Sequence, residues 1–214
     1  EEFLVLADKL KPRLYSIASS PDAHPGEVEL TVSIVRYDHH DRKRGGLCTV
    51  FMADEVEVGK TPVKIFMSPT KSFVLPKDSS TDIIMVGPGT GIAPFMSITK
   101  DFETYEKYDN VFLFHTVRQK VELAYRPELS LLEGDLPFRY IDSVTREDYP
   151  RVGRFWDHIE EFLPGGLTLG RDSVMVCGST DLNKQCRKQF TEQGWVEGNV
   201  GEAGDFMLER AFVD

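Results

Sequence analysis

Apolar and polar positions alternate with a period of two in the first third of the chain and then give way to a strand–helix rhythm. Leu30, Val32 and Ile34 alternate with polar neighbours, which predicts a strand over roughly 28–37. Val63 to Met67 predicts another, and the apolar stretch Val50 to Val56 is helix-like. Glu1 to Leu10 reads as a helix. Later apolar runs predict strands at Ile83–Val86, Val111–His115, Phe138–Asp142 and Ser173–Cys177, and a last one from Asp205 to Val213. Helical patterns cover Ile92–Lys107, Glu122–Leu132, Phe155–Phe162 and Leu182–Gln193. Such alternation implies a parallel sheet with right-handed crossovers, whose ligands collect at the carboxyl ends of the strands. Pro76-Lys77-Asp78-Ser79-Ser80 reads as a linker, so the expected division is a β-rich domain over 1–77 and an α/β domain over 78–214.

Size and charge narrow the classes. The 214 residues suffice for one large domain or two small ones. No apolar stretch approaches the ~20 residues that span a bilayer, and no secretory signal is visible, so membrane insertion is not expected. A formal net charge of −10 argues against general nucleic-acid binding. Cys48, Cys177 and Cys186 form no C-x-x-C pair and no metal spacing, which points to a reducing, cytoplasmic setting.

Three segments carry candidate chemistry. Gly87-Pro88-Gly89-Thr90-Gly91-Ile92-Ala93-Pro94-Phe95 follows a predicted strand and opens a helix. Glycines there let backbone N–H groups approach an anionic or electron-rich ligand, although the spacing is not G-x-G-x-x-G. In Arg13-Leu14-Tyr15-Ser16, period two places Arg13 and Tyr15 on one face. The arginine suits a pyrophosphate, the tyrosine a planar heterocycle and the serine a ring nitrogen, or the segment is an edge strand with an exposed Arg and a core Tyr. Gly45-Gly46-Leu47-Cys48-Thr49 offers either a second phosphate contact at a helix start or a flexible loop capped by Thr49.

Taken in this order, Arg13-x-Tyr15-Ser16, Gly46-x-Cys48-Thr49 and Gly87 to Pro94 resemble the ferredoxin–NADP reductase superfamily of FAD enzymes. The resemblance implies a two-domain β plus α/β fold: a partial antiparallel FAD-binding β-barrel, then a Rossmann-like parallel-sheet NADP-binding domain. It assigns the FAD pyrophosphate to Arg13, the isoalloxazine face to Tyr15 and the neighbourhood of flavin N5 to Ser16. Gly46, Leu47, Cys48 and Thr49 wrap the pyrophosphate. Tyr37 looks like a further flavin or adenine contact, and Thr31 and Ser33 are expected to touch the flavin through backbone. Gly89, Thr90 and Gly91 belong to the nucleotide-binding turn.

Arg118, Arg146 and Arg154 each follow a predicted strand or open a helix near the carboxyl edge of the sheet, or are three solvated surface arginines. A 2′-phosphate suits planar, permanently charged forks, and bacterial ferredoxin/flavodoxin–NADP reductases hold it with arginines placed similarly, which implies NADP(H). Cys177 and Gly178 end a strand that in the family sits by the nicotinamide. Cys177 is expected near the reacting atoms without nucleophilic chemistry, or as a small buried hydrophobe. Asp181 is expected to help cap the next helix. The tail Glu209-Arg210-Ala211-Phe212-Val213-Asp214 resembles one bacterial subclass, in which Ala211 faces the flavin and Phe212 contacts FAD; a plain terminal strand is the alternative.

Leu10 to Pro21 resembles instead the flavoprotein subunit of sulfite reductase and related diflavin reductases. The implied activity is hydride transfer between NADPH and FAD. Electrons then pass to ferredoxin, flavodoxin, or a flavodoxin-like or haem-protein partner. His39 to Arg44 forms a local basic patch for an acidic carrier, or a solvated loop. The resemblance implies early barrel strands before Arg13, where only Glu1 to Leu10 stand in this sequence. This leaves open a fragment, a barrel completed by another chain, or a nucleotide-binding or assembly module without activity of its own.

Overall fold

Every side chain of the run Asp82–Val86 is buried, so both faces of this strand are covered, as in a parallel sheet flanked by helices. The structure, a computed structural model, describes residues 10–69, 73–76, 82–199, 202 and 204–211. The elements are β1 (Arg36–His39), β2 (Arg42–Gly45) and α1 (Leu47–Val50), which continues as a π turn over Phe51–Glu55; then β3 (Asp82–Val86), a 3₁₀ turn (Gly89–Ile92), α2 (Ala93–Thr99) and α3 (Phe102–Lys107). After these come β4 (Asn110–Val117), α4 (Arg126–Asp135), β5 (Phe138–Val144), α5 (Phe155–Phe162), β6 (Asp172–Gly178), α6 (Thr180–Glu192) and β7 (Phe206–Arg210).

The described residues fall into two compact units, 10–15 with 32–65 and 16–31 with 66–211. In the larger unit a five-stranded sheet has the order β5-β4-β3-β6-β7 with every pair parallel. Alternate β3 residues feed two cores. Ile83 and Met85 pack with Phe95 and Met96 of α2 and Leu129 of α4. Ile84 and Val86 pack on the other face with Phe155 and Ile159 of α5 and Phe190 of α6. The chain runs outward from β3 to β5 and then returns to β6 on the other side of β3, which makes the β3/β6 boundary the switch point where such sheets bind ligands.

Residues 16–31 pack in this larger unit. Ile17 bridges Leu30, and the Ala18 N–H donates to the Glu29 carbonyl at 2.8 Å. Lys100, with only 8% of its side chain exposed, pairs with Glu29 at 2.7 Å and Glu128 at 3.1 Å. Burial opposes its charge, but the two carboxylates outweigh that penalty and raise its pKa. Thr31 Oγ1 and the Tyr125 hydroxyl are 2.7 Å apart.

The smaller unit holds the antiparallel β1–β2 ribbon. The basic stretch from His39 to Gly46 is therefore mostly a hairpin, closed by His40 (φ 49°) and Asp41 (φ 55°), as a primed two-residue turn requires. The strand expected over 28–37 is reduced to the Leu30 bridge and the start of β1. Val63 to Met67 is not a strand, because its alternating pattern has no neighbouring strand to complete a ladder among the described residues. The helix expected over 92–107 breaks at Asp101, whose carboxylate accepts the Glu103 N–H and starts α3. The helix expected from Glu122 starts at Arg126, since Tyr125 is left-handed (φ 64°) and Pro127 fits only a first turn. The expected Glu1–Leu10 helix lies almost wholly outside the described residues, as do most of the linker and the end of the last strand.

Candidate functional site

The turn after β3 is shaped by what glycine permits. The Gly87 N–H donates to the Phe114 carbonyl at 2.9 Å, and Gly89 adopts φ +56°. A Cβ on Gly87 would lie 2.9 Å from the Gly91 carbonyl oxygen, and one on Gly91 would overlap the Cys177 carbonyl oxygen. The turn after β3 and the end of β6 thus meet backbone to backbone at the switch point. A Cβ on Gly178 would come within 2.7 Å of Leu182. Thr90 is partly buried within the 3₁₀ turn. The cap of α6 is Ser179, whose Oγ accepts the Leu182 N–H at 3.2 Å. Asp181, expected in that role, instead occupies the exposed first turn, one position beyond Thr180.

Beside these turns, three reactive side chains converge in the larger unit. The Ser16 hydroxyl donates to Glu209 Oε1 at 2.8 Å, and the Cys177 thiol is 3.9 Å from the same oxygen. The register places Cys177 opposite Glu209 on adjacent strands β6 and β7. Burial, then the Glu209 charge, pushes the Cys177 thiol far above its ordinary pKa, so it remains a neutral thiol. Glu209 was not a candidate from sequence. It lies in the tail Glu209 to Asp214, and nothing in its spacing connects it to a serine far away in the sequence. The Ala211 N–H donates to the Gly178 carbonyl at 2.9 Å and its side chain packs on the sheet core. Phe212 lies outside the described residues.

Arg118, Arg146 and Arg154 come together at the carboxyl edge of β4 and β5. The Arg146 N–H donates to the Arg118 carbonyl at 3.0 Å, and the Gly153 N–H to the Val144 carbonyl at 3.1 Å. All three side chains are exposed, and no carboxylate pairs with their guanidinium groups among the described residues. Neighbouring arginines are used differently: Arg126 and Arg151 both face the buried Asp142, at 2.9 and 3.7 Å. Behind this edge, His115 bonds the Tyr140 hydroxyl through Nδ1 at 2.9 Å. Burial pushes its pKa down to about 4, against smaller opposing pulls from the Gly89 carbonyl and Asp142, so the imidazole is neutral.

The smaller unit holds the other candidates. Gly46 N–H donates to the Val35 carbonyl at 2.9 Å, and Thr49 Oγ1 accepts the Val35 N–H at 3.2 Å. A Cβ on Gly46 would sit 2.7 Å from Thr49 Oγ1 and 3.1 Å from Val35 Cβ. α1 begins at Leu47 with Gly46 as its N-cap, so Thr49 is not the cap. Tyr15 is partly buried; burial and a hydrogen bond to Cys48 push its phenol up to about 12, with Arg13 pulling the other way. The exposed Arg13 bonds the Lys11 carbonyl and has no carboxylate partner among the described residues. Tyr37 stands exposed on β1 opposite Arg44, and Ser33 is exposed on the approach to that strand. Thr31 belongs to the larger unit, where its side chain is taken up by Tyr125.

A family model described as FAD binding domain matches residues 1–51, and one described as oxidoreductase NAD-binding domain matches residues 85–188. The chain is 42% identical to the sulfite reductase (NADPH) flavoprotein alpha-component of Shigella boydii serotype 4 over 217 aligned positions, 99% of this chain and 35% of that protein. Against the Bacillus subtilis protein of the same name it is 48% identical over 103 residues, 48% of this chain and 17% of the relative. Against ferredoxin–NADP reductase A of Sorangium cellulosum it is 37% identical over 145 residues, 60% of this chain and 52% of the relative. The chain therefore spans about half or less of the length of these curated relatives. A ferredoxin NADP+ reductase from Neisseria gonorrhoeae, solved with bound FAD and NADP, shares the fold with a TM-score of 0.70 and 24% identity, over 94% of this chain and 80% of that one. Two domain families matched in succession, on a chain with this sheet topology, identify it as a member of the ferredoxin–NADP reductase superfamily.

Proposed function

We propose that this chain is the catalytic part of an FAD-dependent NADP(H) oxidoreductase that exchanges electrons with a one-electron carrier protein. The observation that carries this is the Ser16–Glu209–Cys177 convergence beside the switch point of the sheet. Bound FAD and NADP(H) supply the redox chemistry, a hydride exchanged between nicotinamide C4 and flavin N5. The residues present fit both groups. Gly87, Gly91 and Gly178 let the turn after β3 and the end of β6 pack closely, Gly89 has open space beside it where a dinucleotide backbone would approach, and Arg118, Arg146 and Arg154 offer uncompensated charge to a 2′-phosphate. Toward FAD, the smaller unit by itself offers Arg13 and the Gly46–Thr49 turn for the pyrophosphate, Tyr15 for the ring, and Tyr37 and Ser33 for further contacts; the larger unit offers Thr31 and Ala211, and Phe212, assigned to FAD by the resemblance, lies outside the described residues.

Ser16 presents a hydroxyl whose proton is directed by Glu209, and Glu209 as a carboxylate holds that hydroxyl in one orientation. Cys177, kept neutral, contributes shape and a weak donor rather than a nucleophile. The division at 77/78 is proposed as the functional boundary between FAD and NADP(H) binding. Three free cysteines accord with a cytoplasmic location, and no helix among the described residues is long and apolar enough to cross a membrane. The test is flavin reduction by NADPH under anaerobic stopped flow. Glu209→Gln is expected to slow it with FAD retained, and an unchanged rate removes Glu209 from the mechanism.

A sulfite-reductase-type system is the second reading of the electron acceptor. It is favoured by the 42% identity spread over almost the whole chain. Reduction of a flavodoxin-like domain in preference to ferredoxin supports it, and the opposite preference favours the stand-alone reductase.

A further inference from the structure

We propose that Asn183 is a positioning residue that sets the Glu209 carboxylate, a role that rests on the reading of Ser16 and Glu209 above. Asn183 lies in the first turn of α6 and is 6% exposed. Its Nδ2 donates to the Glu209 carbonyl oxygen at 2.7 Å, while its backbone N–H donates to the Ser179 carbonyl at 3.0 Å. The side chain of one residue of α6 thus reaches the residue that carries the carboxylate, while its backbone is held by the helix that follows Cys177.

β7 has reason to need such a tie. It is the last strand of the sheet order, paired along its length with β6 and bridged by Glu197 at its first residue, Phe206, and Glu209 is its penultimate residue. Strand ends of this kind open most readily. Any displacement of the backbone at Glu209 is passed to the 2.8 Å contact with Ser16 and the 3.9 Å contact with Cys177.

The other end of the same amide supplies an independent observation. Asn183 Oδ1 is buried and has no hydrogen-bond partner among the described residues. A buried acceptor left unpaired costs stability, and an apolar side chain of similar volume avoids that cost. Oδ1 therefore gives no reason for an amide here, whereas the donor on Nδ2, which holds the Glu209 carbonyl, does.

The experiment compares Asn183→Leu with the unaltered chain in three measurements: melting temperature, the 13C chemical shift of the Glu209 carboxyl at fixed pH without nucleotide, and flavin reduction by NADPH across pH. The expected result is a folded protein with a modestly lowered melting temperature and a displaced Glu209 carboxyl resonance. Reduction slows roughly three- to tenfold, with KM for NADPH within about twofold. In a Glu209→Gln background the same substitution has no further effect on the rate, because the two residues act as one unit. If Asn183→Leu folds poorly, Asn183→Asp, which keeps the volume and loses the donor, must slow reduction and abolish any additional effect in Glu209→Gln. An unmoved Glu209 carboxyl resonance and an unchanged rate in Asn183→Leu, while Glu209→Gln slows reduction, overturn the role of Asn183 alone. An unchanged rate in Glu209→Gln overturns the underlying reading, and the proposal with it.

Discussion

A hydroxyl and a carboxylate 193 residues apart in sequence share a 2.8 Å hydrogen bond, and a thiol 32 residues from that carboxylate completes the group. Each member has a separable consequence. Ser16→Ala removes the donor and is expected to slow flavin reduction roughly 10- to 100-fold while leaving bound FAD in place; unchanged stopped-flow rates would refute the role. Cys177→Ala is expected to retain most of the rate, because burial and Glu209 keep the thiol neutral. Complete loss of reduction in an otherwise folded variant would contradict this. Gly91 is a matter of space rather than chemistry. Gly91→Ala drives a methyl group into the Cys177 carbonyl, and destabilisation of about 1–3 kcal/mol is expected in denaturant unfolding.

At the scale of elements, the ends of β4 and β5 act as a unit. Arg118 and Arg146 are joined through their backbones, so their side chains leave neighbouring points of the same sheet edge. Arg118→Ala, Arg146→Ala and Arg154→Ala are each expected to raise KM for NADPH by about tenfold or more and to leave KM for NADH nearly unchanged. Equal effects on the two nucleotides would exclude a 2′-phosphate contact. His115 on β4 gives the sheet a pH dependence. Its folded pKa lies near 4, below the ordinary 6.5, so the unfolded chain binds more protons between these values. Its contribution is complete above about pH 6.5 and is lost as the pH falls towards 4, an effect of about 3 kcal/mol. Denaturant titrations of His115→Gln between these limits should show a correspondingly shallower loss; identical slopes would refute the assignment.

The same elements show how far sequence carries. Ile83–Val86 was legible because both faces of a parallel strand are buried and the run is wholly apolar. The switch-point glycines were legible because their spacing has few other uses. Val63–Met67 misled because alternation reports a half-buried face, while a strand also needs a partner. Glu209 was silent because its meaning arises only when β7 pairs beside β6. Asp101 and Pro127 punctuated helices that periodicity alone ran together.

Across the whole molecule, a net charge of −10 coexists with a basic hairpin in which Arg42, Lys43 and Arg44 are all exposed. Electron transfer to an acidic carrier through that ribbon would weaken steeply with added salt. Everything else depends on whether this chain holds a flavin that NADPH can reach. The direct measurement is the visible absorbance of the purified protein, incubated with FAD, desalted and mixed anaerobically with NADPH. A yellow protein that bleaches on mixing is the predicted result. A protein that stays colourless after incubation with FAD, or a yellow one that NADPH leaves unchanged, would contradict it.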